Sequence, residues 1–204
     1  MDKKEVLLEI KKIFKILNKK HRNCTLTSNE VHDLYIEYLK LSTMLDTNNP
    51  LYKNDIHDYK RGNCYCYALG LKFPYKFYYH YNSLSEDPFV HNIGFISKSN
   101  DAFCKDEIMD NFYKDLEALN IKVKNSCINA KVKNGYKVAV YFDNYYKFYN
   151  NFHIARENKD GNWSEKVGYT NEVLKFDNPD DSIYVKESGY KLHKILELTK
   201  PIIK

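Results

Sequence analysis

No run of about 18 apolar residues occurs anywhere in the 204-residue chain, so no membrane-spanning helix is expected. The N-terminal stretch also lacks the apolar block of about 7–15 residues that a secretory signal needs, because Glu5, Glu9, Lys11 and Lys12 interrupt it. No internal repeat and no low-complexity linker divides the sequence. The cysteines are few and odd in number: Cys24, Cys64, Cys66, Cys104 and Cys127. A chain of this size folds without covalent staples, so reduced thiols and a cytoplasmic setting are expected. Cys64-Tyr65-Cys66 has no second Cys or His pair at ligand spacing, so zinc is not expected, and no cofactor is implied.

What is present is an apolar, aromatic composition, 43% hydrophobic and 15% aromatic, which is too rich for a disordered chain. The nineteen tyrosines, with many Lys and Asn, match the bias of AT-rich genomes and are not by themselves a binding surface. The net charge of +5 is local. Residues 1–22 hold eight Lys/Arg against three acids, and the remaining 24 basic and 24 acidic residues balance. Any attraction for nucleic acid would rest on one terminal helix, whose lysines read more simply as a solvated face; nucleic acid is not the expected partner.

Helical periodicity runs from Glu5 to Lys20 through Val6, Ile10, Ile13, Phe14 and Leu17. A second helix opens at Thr27, three residues before Glu30 as in a capping box, and continues through Val31, Leu34, Tyr35, Tyr38 and Leu41 until Asn48-Asn49-Pro50 stops it. Residues 1–50 therefore read as a helical hairpin packed on a core of residues 51–204. In that core a polar loop at 51–62 precedes a short apolar helix from Cys64 to Leu69, closed by Gly70. Residues 72–98 read as irregular, and a third long helix spans about Asp101–Leu119, capped by Ser99 or Asn100. Strands follow at Ile121–Lys124, Tyr136–Asp143, Tyr149–Glu157 and Trp163–Val167, with a hairpin turn at Asp160-Gly161. Two more strands are expected at Ile183–Lys186 and His193–Leu198. The fold class is α+β.

Cys64 is the best-placed nucleophile. It stands at a helix start after Gly62 and the capping Asn63, where unpaired N–H groups and the helix dipole favour a thiolate and offer an oxyanion donor. Cys66, about 200° around the helix, cannot face the same site. Of seven histidines, His153 lies in the most regular strand region, which holds a side chain in one direction as a general base requires. With a two-residue turn at Asp160-Gly161, Ser164 and Lys166 would share the face of His153 and Glu165 would point away; one extra residue reverses this. For a third member that orients the imidazole, Glu165, Asn162 and Asp177 all stand open. Trp163 is either a stacking platform or core packing. Arg156 and Lys166 either bind an acidic substrate group or pair with acids across strands.

Gly62-Asn63-Cys64-Tyr65-Cys66-Tyr67-Ala68-Leu69 resembles an Asn-Cys-Tyr-Ala-Tyr-Ala-Leu motif of small bacterial and phage proteins in the papain-like cysteine peptidase and amidase superfamily. The later stretch, Phe152-His153-Ile154-Ala155-Arg156 and Asp160-Gly161-Asn162-Trp163-Ser164-Glu165-Lys166-Val167-Gly168, is similar to that family's strand and hairpin segment, with Glu165 where the family often has His. The resemblance covers about residues 58–185; the hairpin at 1–47 is extra to it. It implies a papain-like fold in which a helix bearing Cys64 packs on an antiparallel sheet bearing His153. It further implies a Cys64–His153 dyad or triad, completed by Glu165 or Asp177 and supported by Asn63, Trp163 and Lys166. The activity implied is thiol-dependent hydrolysis of an amide or ester in a protein or peptide-like substrate. Acyl transfer at the same site, and a non-catalytic interaction module on the same scaffold, are the alternatives.

Overall fold

The computed structural model describes residues 1–21, 26–45, 63–71, 92–99, 102, 104–143, 151–168 and 172–201. The loop expected at 51–62, the expected caps Asn100 and Asn48-Asn49-Pro50, most of the irregular stretch at 72–91 and the start of the strand placed at Tyr149 lie outside these residues.

The chain forms α1 (Lys3–His21), α2 (Ser28–Leu45), α3 (Cys64–Leu69), α4 (Lys105–Ala118), β1 (Lys122–Ser126), β2 (Tyr136–Asp143), β3 (Phe152–Glu157), β4 (Trp163–Lys166), β5 (Val173–Phe176), α5 (Ile183–Glu187) and β6 (Tyr190–Thr199). The strands make one six-stranded sheet in the order β1-β6-β2-β3-β4-β5, antiparallel throughout. The architecture is thus α+β. Among the described residues no helix is long and apolar enough to cross a membrane.

Period dictates which residues enter the core. Val6, Ile13 and Leu17 of α1 and Val31, Tyr35, Tyr38, Leu39 and Leu41 of α2 are buried together with Ile108, Phe112 and Leu116 of α4. They share one cluster with Val138, Val140, Phe142, Ile154, Leu196 and Leu198, which alternate along β2, β3 and β6 on one sheet face. The opposite face carries a smaller cluster of Ala139, Tyr141, Ala155, Trp163, Val185 and Ile195. β2 is buried on both faces along all eight residues, which is why it reads as a nearly continuous apolar run.

The capping box at the start of α2 is formed: Glu30 accepts from the Thr27 N–H at 2.9 Å, and Thr27 Oγ1 accepts from the Glu30 N–H at 3.3 Å. The third long helix begins later than the sequence suggests, at Lys105. Its cap is Cys104, whose N–H donates to Glu107 at 3.2 Å. The expected strand at Ile183–Lys186 is instead helix α5. Its β-branched composition is overridden by the Ser182 cap, whose Oγ accepts from the Val185 N–H at 3.0 Å, directly after a 3-10 turn at Pro179–Asp181 that Asn178 caps through the Asp180 N–H at 3.1 Å. β5 is a strand that the sequence pattern did not announce.

Buried Asp115 joins α4 to the rest. Its carboxylate accepts from Tyr65 Oη (2.7 Å) on α3, from the N–H groups of Gly94 (2.6 Å) and Ser97 (2.8 Å), and from Ser97 Oγ (2.6 Å). The turn at 92–98 is thereby clamped against α4, and α3 is anchored one residue away from Cys64. Burial, with Asp115 second, holds the Tyr65 phenol well above its ordinary pKa, so Tyr65 remains a donor.

Candidate active site

All six residues of α3 are buried. Its start is made by Asn63, whose extended backbone and Oδ1, accepting from the Cys66 N–H at 3.1 Å, satisfy one orphan donor of the first turn. Its end is Gly70, in the left-handed region at φ 69°, after which the Leu71 N–H donates to the Cys66 carbonyl at 2.8 Å. Asn63 therefore serves as the helix cap. The two cysteines diverge as the helical turn requires: Cys66 is wholly buried within the main core cluster, whereas Cys64 stands outside that cluster at the helix start.

Cys64 meets His153: its sulfur stands close enough to the imidazole to act on the ring's titration. The meeting point follows from the sheet. β3 and β4 pair from Glu157↔Trp163 to Ala155↔Glu165, so His153 stands two residues beyond the last of these pairs, at the end of the sheet where α3 starts. His153 Nε2 lies 2.9 Å from Glu165 Oε2, leaving Nδ1 as the ring nitrogen available to sulfur. His153 is 2% exposed and Glu165 is fully buried, so neither group is screened by water.

Glu165 reaches this position because the β3–β4 connection is one residue longer than the two-residue turn that would have pointed it away. The Asn158 N–H donates to the Asn162 carbonyl at 2.6 Å, so three residues, Lys159, Asp160 and Gly161, form the tip, with Gly161 at φ 86°. The added residue shifts the parity by one. Ala155 faces Glu165, and His153, Ala155, Trp163 and Glu165 share a face, while Ser164 and Lys166 take the other.

Behind Glu165 stands Ser182, 1% exposed, whose hydroxyl donates to Glu165 Oε1 at 2.5 Å while capping α5. α5 in turn lays Tyr184 against the imidazole with ring centroids 4.9 Å apart, and Tyr190 of β6 lies at 5.8 Å. Burial, and after it the nearby Cys64 sulfur, raises the Tyr184 phenol above its ordinary value; burial, then Tyr184 and Cys64, does the same for Tyr190. Both phenols therefore stay protonated beside the site. Sequence reasoning did not single out Ser182, Tyr184 or Tyr190. The only local trace of Ser182 is its spacing to Val185 as a helix cap.

The other sequence candidates divide. Asp177 is exposed beyond β5, where its carboxylate is 3.0 Å from the Asn162 amide in the orientation that satisfies that side chain. Asp177 and Asn162 thus meet each other at the hairpin tip, away from His153. Trp163 is 2% exposed and packs in the smaller core cluster. Lys166 is buried and donates to the Gly168 carbonyl at 2.8 Å. Burial pushes its ammonium below the ordinary lysine pKa, against the pull of the adjacent Cys64 and Cys66 sulfurs. Arg156 lies over the Tyr136 ring at 4.4 Å and contacts the Tyr67 carbonyl at 3.5 Å. Among the described residues neither Lys166 nor Arg156 has a carboxylate partner, which differs from the cross-strand pairing considered for them. No group of three or more His, Cys, Asp or Glu among the described residues is gathered as a metal site.

The imidazole is the titrating centre of this arrangement. Burial alone would push its proton off. The facing Cys64 sulfur and then the Glu165 carboxylate outweigh burial and raise the His153 pKa to about 9. Because the folded value lies above the unfolded one of about 6.5, proton binding favours the folded state. That stabilisation is complete below about pH 6.5 and is lost as the pH rises through about 9. NMR titration of His153 should give a midpoint near 9 in the native chain, and a lower one in each of Cys64→Ser and Glu165→Gln. A midpoint near 6.5 in all three would contradict the charge coupling.

No family model, no curated protein and no solved structure compared with this chain matches it.

Proposed function

We propose that this protein is a thiol-dependent hydrolase of the peptidase or amidase type, with Cys64 as nucleophile, His153 as acid and base, and Glu165 as the residue that orients and charges the imidazole. His153 carries the proposal: one buried imidazole has a helix-start thiol beside it and is hydrogen-bonded to a buried carboxylate. Three separate elements contribute one group each, a constellation with the roles of a nucleophile–base–orienter triad. The papain-like assignment suggested by the two motifs agrees with a Cys-bearing helix laid on a His-bearing antiparallel sheet.

In the proposed cycle the Cys64 thiolate attacks the carbonyl carbon of an amide or ester, and the electron pair of the C=O bond moves to oxygen. The Cys64 N–H, at the first helical position and so without a carbonyl to bond within its own helix, is the donor available to that oxyanion. Collapse of the intermediate breaks the bond to the leaving group, which takes the proton from His153. His153 then accepts a proton from water as that water attacks the thioester, releasing the acid and restoring the thiol pair. An amine in place of water would give acyl transfer with the same residues. Protein or peptide-like substrates are the proposed class.

Limited labelling of the native chain with iodoacetamide near pH 6, read by peptide mass spectrometry, tests the proposal. Cys64 should be modified ahead of Cys104 and Cys127, although those two are exposed and Cys64 is buried. Preferential modification of the exposed pair, with Cys64 inert, would overturn it.

A further inference from the structure

At the end of β3 opposite His153, about 13 Å away by strand rise, a cavity of about 820 Å³ opens between the β1–β2 connection, the tip of the β3–β4 hairpin and the end of β6. Its size suits an organic ligand. Its charge is one-sided: Lys131, Lys133, Lys137, Lys159 and Lys200 line it against a single acid, Glu157. Glu157 is already committed to Lys137 at 2.9 Å, and Lys137 is further held by the carbonyls of Ala130 at 3.0 Å and Ile128. The acid and one lysine thus form part of the wall, Lys200 lies over the Tyr136 ring at 5.4 Å, and Lys131, Lys133 and Lys159 leave a positive field.

A buried polar side chain forms part of the wall of this cavity. Asn158 lines the cavity and is 8% exposed. Its Oδ1 accepts from Ser164 Oγ at 2.9 Å, which fixes the amide orientation, and its Nδ2 has no hydrogen-bond partner. Behind the Tyr136 wall lies Arg156, wholly buried, with Nε and Nη2 also unpartnered. Unpaired buried donors are costly and few in folded chains. Here one side chain with that cost, Asn158, stands in the cavity wall beside an excess of lysines, a setting that favours an anion.

We propose that this cavity is a binding site for a phosphorylated small molecule of nucleotide size. The phosphates would meet Lys131, Lys133 and Lys159, and the body would rest on Ile128 and Val132. Several negative charges are required to balance the lysine excess, which favours a polyphosphate ester over a monocarboxylate. The volume exceeds what a lone phosphate fills. The site is distinct from Cys64 and does not depend on the function proposed for it.

Calorimetric titration of the full chain at low ionic strength, with metal-free ATP, tripolyphosphate and adenosine as probes, tests this. ATP should bind at least tenfold tighter than adenosine, with tripolyphosphate showing that the phosphates suffice for part of the affinity. Lys133→Gln with Lys159→Gln should weaken ATP at least tenfold and flatten its salt dependence, while Lys114→Gln with Lys122→Gln, outside the cavity, should not. Asn158→Asp, which places a negative charge in the cavity wall, should weaken it further, and Cys64→Ala should bind as the native chain does. Absence of ATP binding, equal affinity for ATP and adenosine, or equal losses in the two lysine pairs would overturn the proposal.

Discussion

Replacing His153 with Ala is expected to remove the imidazole that faces the Cys64 sulfur and to leave that thiol buried without a cationic neighbour. The observable is the pH dependence of its alkylation. A thiol without a cationic partner has a pKa of about 8.5 or higher when buried, so its thiolate fraction falls about tenfold per pH unit below that. Between pH 8 and pH 5 the Cys64 alkylation rate in His153→Ala should therefore fall by roughly 10³. In the native chain the imidazolium, protonated up to about pH 9, stands beside the sulfur throughout this range, and under the proposed function the rate should fall less steeply than in His153→Ala. Glu165→Gln should lie between the two, because it removes the charge behind the imidazole but keeps the imidazole itself. Turnover of any amide substrate should fall by about 10²–10⁴ in His153→Ala, the usual worth of positioned acid–base catalysis. Thermal melts of each variant separate these effects from unfolding. Parallel pH profiles in the native and His153→Ala chains would end the assignment of His153 to Cys64.

The largest expected stability effect belongs to Asp115, which takes no part in the chemistry. Asp115→Ala strips acceptors from Tyr65 Oη and from the Gly94 and Ser97 N–H groups, all held against a carboxylate that is wholly buried. A buried donor left unsatisfied costs about 1–3 kcal/mol. Partial relaxation of the 92–98 turn tempers the sum to a net loss of about 3–5 kcal/mol. That is a large share of the roughly 5–15 kcal/mol typical of folded chains. Denaturant titration should show the midpoint falling with the slope unchanged. Asp115→Asn keeps the shape and one acceptor oxygen and should lose less. A change within about 0.5 kcal/mol for Asp115→Ala, the size of an ordinary surface substitution, would show that the four hydrogen bonds do not carry the turn.

Periodicity and capping are local, and they were legible. The apolar stripes of α1 and α2, the Thr27–Glu30 capping box and the closure of α3 at Gly70 depend on residues within a few positions of one another. Short-range competition is harder to read. Ile183, Tyr184 and Val185 favour a strand by composition, yet Ser182 closes a local cap that makes a helix, and Ile183 is left 66% exposed. A hairpin tip is harder still, because a difference of one residue has no clear mark in composition but inverts the facing of every side chain in β4. That single residue separates a Glu165 directed at His153 from one directed away.

Chain order and side-chain chemistry alone determined that Cys64 would open a short buried helix, that His153 would lie on a strand, and that α and β elements would share an apolar core. Tertiary structure decided the rest: which of three polar residues would back the imidazole, that Ser182 would stand behind it, and that a lysine-rich cavity would form at the far end of the sheet. The division has a physical cause. Helix period and caps arise from bonds within a turn of chain, whereas strand facing and the gathering of α3, β3, β4 and α5 depend on register and packing between segments far apart in sequence.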